Sequence, residues 1–403
     1  MNHSNVMSLL MACLVAALPC AAVAQSAATP SITPVAQWNR LEFDLDKTAQ
    51  TAYDKNQTYK KVLLQGTKVD ADGNIYATTA RWGGPEVPAT LSKLVKKDGK
   101  WVLQPYPSVA MNRVGDPKAL QAVLGIEIDR NGVMWILDQG HVGGKPSQPG
   151  SQKLVLWDIK QNKELQSFTF DDSLADSKCS FLNDVVVDND RDVAYITDSG
   201  IFCDPLQGGL IVYDRKTNTA RRVLSDTVFT TDQTGFRFRI DNRDVTPDKP
   251  MRTGADGIAL SGDKKTLYWT NLSSHALYSL DTALLRDPKT SEAALRTAVK
   301  NVATLPSNAD GMVADRDGNL YLTALELNGI LRWDHVTGKF STVVIHPDMS
   351  WPDTIGFGPN GHLYVSSGHL NRFVDTSMDF DHPTSPNFTI WDIGTNSRSY
   401  LAK

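Results

Sequence analysis

The 403-residue chain lacks most of the features that would place it quickly. Its formal net charge is −4 and no run of Lys or Arg forms a stripe able to neutralise phosphates, which argues against nucleic acid as a partner. Beyond residue 24 no segment approaches the roughly 18 apolar residues that a bilayer-crossing helix needs. HExxH, P-loop lysine, CxxC and GxSxG motifs are all missing, so serine hydrolase and zinc protease chemistry are not expected. Two partial motifs fail on context. Gly356-Phe357-Gly358-Pro359-Asn360-Gly361 has the outline of a dinucleotide loop but lies between two strands and opens no helix. Asp188 to Asp192 begins like a calcium-binding EF-hand loop, yet Val193 and Ser199 stand where Gly and Glu are required. Both read as turns.

Cysteine is scarce, with four in all. Cys13 and Cys20 lie in an apolar run, residues 7–23, that ends in Ala22-Val23-Ala24, the small-x-small pattern of a secretory cleavage site. Residues 1–24 are therefore expected to be a signal peptide cut after Ala24, with an uncleaved anchor or lipidation at Cys20 as alternatives, and the mature protein to be periplasmic or secreted. That leaves Cys179 and Cys203, an even pair in an oxidising compartment, which favours a disulfide over two buried thiols.

What the sequence does have is repetition. A polar turn followed by a short strand carrying an aromatic occurs six times, at Tyr76, Trp135, Tyr195, Tyr268, Tyr321 and Tyr364. After each copy comes a second apolar strand, turn and strand, as in LVLWDIKQNKELQSF from Leu154 and ILRWDHVTGKFSTV from Ile330. Two hairpins per unit and six units predict an all-β fold, a six-bladed β-propeller with four antiparallel strands per blade. A single domain over 25–403 then replaces the two or three domains that length alone suggests. A strand near 35–46 is expected to close the ring, and the long segment from Ser225 to Thr253 to cover one mouth.

In a propeller the head of each innermost strand lies near the axis. Aligning the six repeats on their aromatics puts Gln65, Leu124, Asn183, Asp256, Asp310 and Asp353 at that place, each followed by a small or polar residue. Five of the six offer an oxygen. Such a ring suits a hard cation such as calcium, for which Gln65, Asn183, Asp256 and Asp310 are the candidate metal ligands, or an organic amine. Three converging carboxylates would otherwise repel one another and raise at least one pKa. The alternative is that these side chains serve local turns. His141, His275 and His369 follow the repeat strands where a loop turns toward a mouth, and His275, His369 and Asp310 are the candidate acids or bases. Trp82, Trp351 and Phe373 are candidates to line an apolar pocket, with core packing as their other use. Asn183, Asp256, Asp310, Asp353 and Trp351 form the expected ligand-binding set.

Several longer stretches carry a resemblance. RWGGPEVPATL from Arg81, MWILDQG from Met134, FLNDVVVD with YITDSG between Phe181 and Gly200, DGIALS from Asp256, NADGMVADRDGNLY from Asn308 and WPDTIGFGPNGHLYVSS from Trp351 resemble the yellow and major royal jelly protein family. The resemblance implies a six-bladed propeller outside the cytoplasm with a small-molecule site at the channel mouth. It suggests an aromatic or amine-like ligand and activity related to dopachrome tautomerase. A more distant similarity is to gluconolactonase and regucalcin-like propellers, which bind a divalent cation through a Glu, Asn and Asp set. It implies a metal-dependent lactonase or esterase as the alternative, although Gln65 stands where those proteins have Glu. A monomer without an integral membrane span is expected.

Overall fold

A computed structural model describes residues 30–402. The expected signal peptide, with its cleavage site and Cys20, lies outside the described residues. Six four-stranded antiparallel sheets stand in a ring, five of them with their strands in sequence order from the axis outward. The first blade is Thr67–Val69, Ile75–Thr78, Leu91–Lys97 and Lys100–Pro105, and the third is Leu182–Asp188, Val193–Asp198, Gly209–Asp214 and Thr219–Val223. The sixth takes Pro352–Phe357, Leu363–Ser367 and Phe388–Ile393 from the end of the chain and its outermost strand, Ile32–Trp38, from the beginning. Trp38 pairs with Phe388 and Ile32 with Ile393, so the two ends of the chain close the ring in one antiparallel ladder. The fold is a six-bladed β-propeller.

The repeated sequence pattern has a local cause. In the first two blades the turn aspartate, Asp70 or Asp129, accepts the N–H groups of the turn with one carboxylate oxygen, at 2.8–3.0 Å. Its other oxygen takes the polar hydrogen of the repeat aromatic, from Tyr76 Oη at 3.0 Å or Trp135 Nε1 at 3.1 Å. Burying a Tyr or Trp requires such a partner, which ties the turn residue to the aromatic that follows it. The ring of that aromatic packs toward the next blade: Trp135 meets Tyr213, Tyr268 meets Trp333 and Tyr321 meets Phe357.

Close approach at the axis explains the small residues after the ring positions. A Cβ on Gly257 would stand 2.3 Å from the carbonyl oxygen of Asp310, and one on Gly311 would stand 2.5 Å from that of Asp353. Each of these two strands thus rests its glycine on the backbone of the next blade's ring residue. No helix among the described residues is long and apolar enough to cross a membrane.

Candidate functional site

The segments entering the inner strands converge at one mouth of the channel around a cavity of about 240 Å3. Asn183, Asp256, Asp310 and Asp353 form its acidic side, with Leu124 beside them. Trp82, Phe181, Phe202 and Phe373 supply aromatic wall, and Met251, Leu272 and Leu370 complete the apolar surface. Five of the six aligned ring positions therefore meet at this cavity. The sixth does not: Gln65 is fully buried, its side-chain oxygen accepts the Ala80 N–H at 2.7 Å, and its carbonyl accepts from Ser366, which joins the first blade to the sixth.

The acidic groups are linked to one another. Asn183 Nδ2 donates to Asp256 Oδ2 at 2.8 Å and to Ser199 Oγ at 3.0 Å. Asp256 and Asp310 act on one another, and each shifts the other's titration. Trp351 Nε1 donates to Asp310 Oδ2 at 2.7 Å, and Thr354 Oγ1 to Asp353 Oδ1 at 3.1 Å. Burial is the main force on all three carboxyls and holds them well above the usual carboxylate range. Repulsion adds to it, from Asp353 on Asp256, from Asp256 on Asp310 and from Asp310 on Asp353. Behind the ring, buried Asp184 is pushed up to about 6 by desolvation against the opposing pull of Lys68, which pairs with Glu127 at 3.1 Å.

Trp351 does not line the cavity. It lies fully buried behind Asp310, with its backbone at φ +49°, a conformation rare for a bulky residue, and stacks on Phe238 with ring centroids 5.6 Å apart. Its contribution is to hold Asp310. The histidines also stand apart from the cavity. His275 Nε2 meets Glu326 Oε2 at 2.9 Å while its ring packs on Phe236. His369 is buried at the start of the helix Leu370–Val374, and desolvation with help from Arg372 lowers its pKa to about 4, so it is neutral near pH 7. His141 packs on Phe202 from outside the cavity, at 4.8 Å, with Nδ1 against the Lys145 carbonyl.

The wall that sequence reasoning missed is fixed by the disulfide. Cys179 and Cys203 are bonded, with Cα atoms 4.5 Å apart, and tie the entry of the third blade to the loop after its second strand. Phe181 and Phe202 lie close to these two residues in the chain and pack edge-to-face at 5.6 Å. An aromatic close to each half-cystine was the available signal. Replacing both cysteines by serine is expected to cost about 3 kcal/mol, the chain-entropy value for a loop of this length, measured by urea unfolding against the wild type.

As arranged, the acidic set does not fit a divalent cation. Asn183 turns its amide donor to Asp256, and an indole N–H occupies Asp310. Hydrogen bonds thus stand where calcium would need six to eight free oxygens, and Gln65 is elsewhere. Among the described residues no group of three or more His, Cys, Asp or Glu side chains is disposed to hold a metal ion.

The fold is thus a six-bladed propeller with an acid-floored apolar cavity at one channel mouth. The chain belongs to the major royal jelly protein family, whose model matches residues 121–398. It is 25% identical over 316 residues to major royal jelly protein 3 of Apis mellifera, covering 74% of this chain and 54% of the relative's length. With protein yellow of Drosophila melanogaster it shares 24% identity over 377 residues, 88% of this chain and 67% of that protein. Among solved structures, a luciferin-regenerating enzyme superposes with a TM-score of 0.54 at 15% identity, covering 92% of this chain and 97% of that one. A propeller classed as a gluconolactonase gives 0.52 at 12% identity, covering 93% and 94%. At these identities the structural likeness establishes the fold alone.

Proposed function

We propose that this chain is an exported propeller that binds a small cationic aromatic ligand at the channel mouth. One observation carries the reading: aromatic side chains and three buried, mutually repelling carboxyl groups face the same cavity of about 240 Å3. The volume suits one ring or two fused rings. A protonated amine gives the acidic floor the positive partner that it otherwise lacks, and Phe and Trp faces stack on the ring and attract the cation. Export rests on the apolar leader and on the disulfide, a bond characteristic of oxidising compartments.

Isomerisation of such a ligand, as in dopachrome tautomerisation, needs one group to take a proton and another to return it. Asp256 and Asp310 line the same cavity with their carboxyls held above the usual range, and they are the groups placed to do both. Turnover would be seen as dopachrome loss that exceeds the spontaneous rate in wild type and falls to it in Asp256→Asn.

Binding is tested by calorimetric titration with phenethylamine and with 2-phenylethanol, its neutral isostere. The amine is expected to bind at least 10-fold more tightly, with no change after chelator treatment. Equal affinities would remove the acidic floor from the reading, and a requirement for added calcium would transfer it to metal-dependent lactonase or esterase chemistry.

A further inference from the structure

The segment 225–253, between the third and fourth blades, crosses the mouth. It leaves the edge of the third blade, passes the fourth where Phe236 packs on His275, and forms the hairpin Arg239–Ile240 with Arg243–Asp244. It then returns to the fourth blade with Met251 and Thr253 lining the cavity. Its first residues are fixed to the third and fourth blades, with Thr227 and Thr230 buried and the Phe229 and Thr231 carbonyls accepting from Trp269 and Asn271. Beyond Gln233 the buried side chains are few, Phe238, Ile240, Val245 and Thr253, and the rest of the hairpin is largely exposed.

One side chain at the hairpin tip holds this segment to the far side of the ring. Asp241 accepts from Asn328 Nδ2 at 2.8 Å and Ser350 Oγ at 2.8 Å, and from Asn371 Nδ2 at 3.3 Å and an Arg372 guanidinium nitrogen at 3.1 Å. These donors come from the fifth blade, from the segment leading into the sixth, and from the helix Leu370–Val374. That helix contributes Leu370, Phe373 and Val374 to the cavity. The closed position is also strained. Leu224, at the root of the segment, sits at φ +54° and the β-branched Thr246 at φ +43°, both disfavoured for such side chains. The hydroxyls of Thr246 and Thr253 are buried without a hydrogen-bond partner.

We infer that residues 234–252 form a lid over the cavity, latched by Asp241, whose release opens the mouth and frees Trp351 from Phe238. Few core contacts, stored strain and orphaned hydroxyls all weigh against the closed form, and the concentrated set of hydrogen bonds at Asp241 opposes them. Because Trp351 holds Asp310, opening also loosens one carboxyl of the floor. The inference concerns access and does not depend on what the cavity binds.

His369 supplies the test. It lies beside Asp241 and Arg372, is 1% exposed, and neither of its ring nitrogens has a partner, so a neutral imidazole waits under the latch. Labelling with diethyl pyrocarbonate near pH 7, read by peptide mass spectrometry, should modify His369 much more slowly than exposed His382 in the wild type. Asp241→Ala is expected to raise the His369 rate at least 10-fold, to leave His382 unchanged, and to speed tryptic cleavage after the already exposed Arg237, Arg239 and Arg243. Arg372→Ala breaks the same latch from the opposite side and should act in the same direction, which guards against a folding defect in the first variant. An unchanged His369 rate in both variants would overturn the inference. So would an equal rise at His141, which is buried on the opposite side of the mouth, because that pattern is general loosening.

Discussion

Asp310→Asn is expected to stabilise the protein by about 1 kcal/mol at pH 7.5, as relief of a strained functional group commonly does, and to weaken phenethylamine binding at least 30-fold. The two effects share one cause. Desolvation first, and then the facing carboxyls, make Asp256, Asp310 and Asp353 hold their protons more tightly in the folded chain than in the unfolded one. Their contribution to stability is therefore fully present below about pH 4, the ordinary carboxylate value of the unfolded chain, and is lost as the pH rises through the elevated folded values. The same deprotonation charges the floor while an aliphatic ammonium remains protonated, so amine affinity should rise over the window in which stability falls. Thermal melting and titration calorimetry from pH 5 to pH 8 check both signs. The amide of the variant keeps the shape of the carboxyl group and still accepts from Trp351 Nε1 while removing one charge. A stability loss in this variant, or pH-independent binding in the wild type, contradicts the account.

Arg81→Met should be the most damaging single change close to the site. The Arg81 guanidinium is fully buried and donates to the carbonyls of Val87 at 3.1 Å, Leu120 at 3.1 Å, Gln121 at 2.7 Å and Asn112 at 2.6 Å. Burial lowers its pKa to about 10, which leaves it charged at neutral pH. Met fills a similar volume but leaves four buried carbonyls without their donor, and each such group costs about 1–3 kcal/mol. A loss of about 4 kcal/mol or more is expected, seen as a lower urea midpoint with an unchanged slope. Trp82 follows Arg81 directly and should lose its place in the cavity wall, so binding should weaken even where the variant remains folded. A loss below about 1 kcal/mol would show that water replaces the guanidinium in these contacts.

Much of the architecture was legible because each blade repeats the same local solution. A turn aspartate, an alternating strand and a buried aromatic recur in the sequence because Asp70 and Asp129 satisfy both a turn and an aromatic hydrogen in the folded blade. The ring positions were legible for a related reason. Asn183, Asp256, Asp310 and Asp353 occupy equivalent places in four repeats, and the propeller's rotational arrangement brings equivalent places together. Gln65 occupied the same place and turned into its own blade, where its side-chain oxygen accepts the Ala80 N–H. Strand periodicity does not encode that choice.

The irregular segments were not legible. Nothing in the local pattern of Phe238 or Asp241 tells that one stacks on Trp351 and the other gathers donors from the fifth and sixth blades, since these partners lie about a hundred residues along the chain. Trp351 was expected at the ligand and instead holds Asp310 from behind. The same holds for Phe181 and Phe202, whose place in the wall depends on the loops that the disulfide joins.

By itself the sequence determined the number of blades, the position of the acidic ring and the pairing of Cys179 with Cys203. Periodicity and pairing rules act over a few residues and repeat. Only the tertiary structure decided which polar groups face the cavity and which histidines stay out of it. Those outcomes turn on burial, and burial is set by packing between segments distant in the chain.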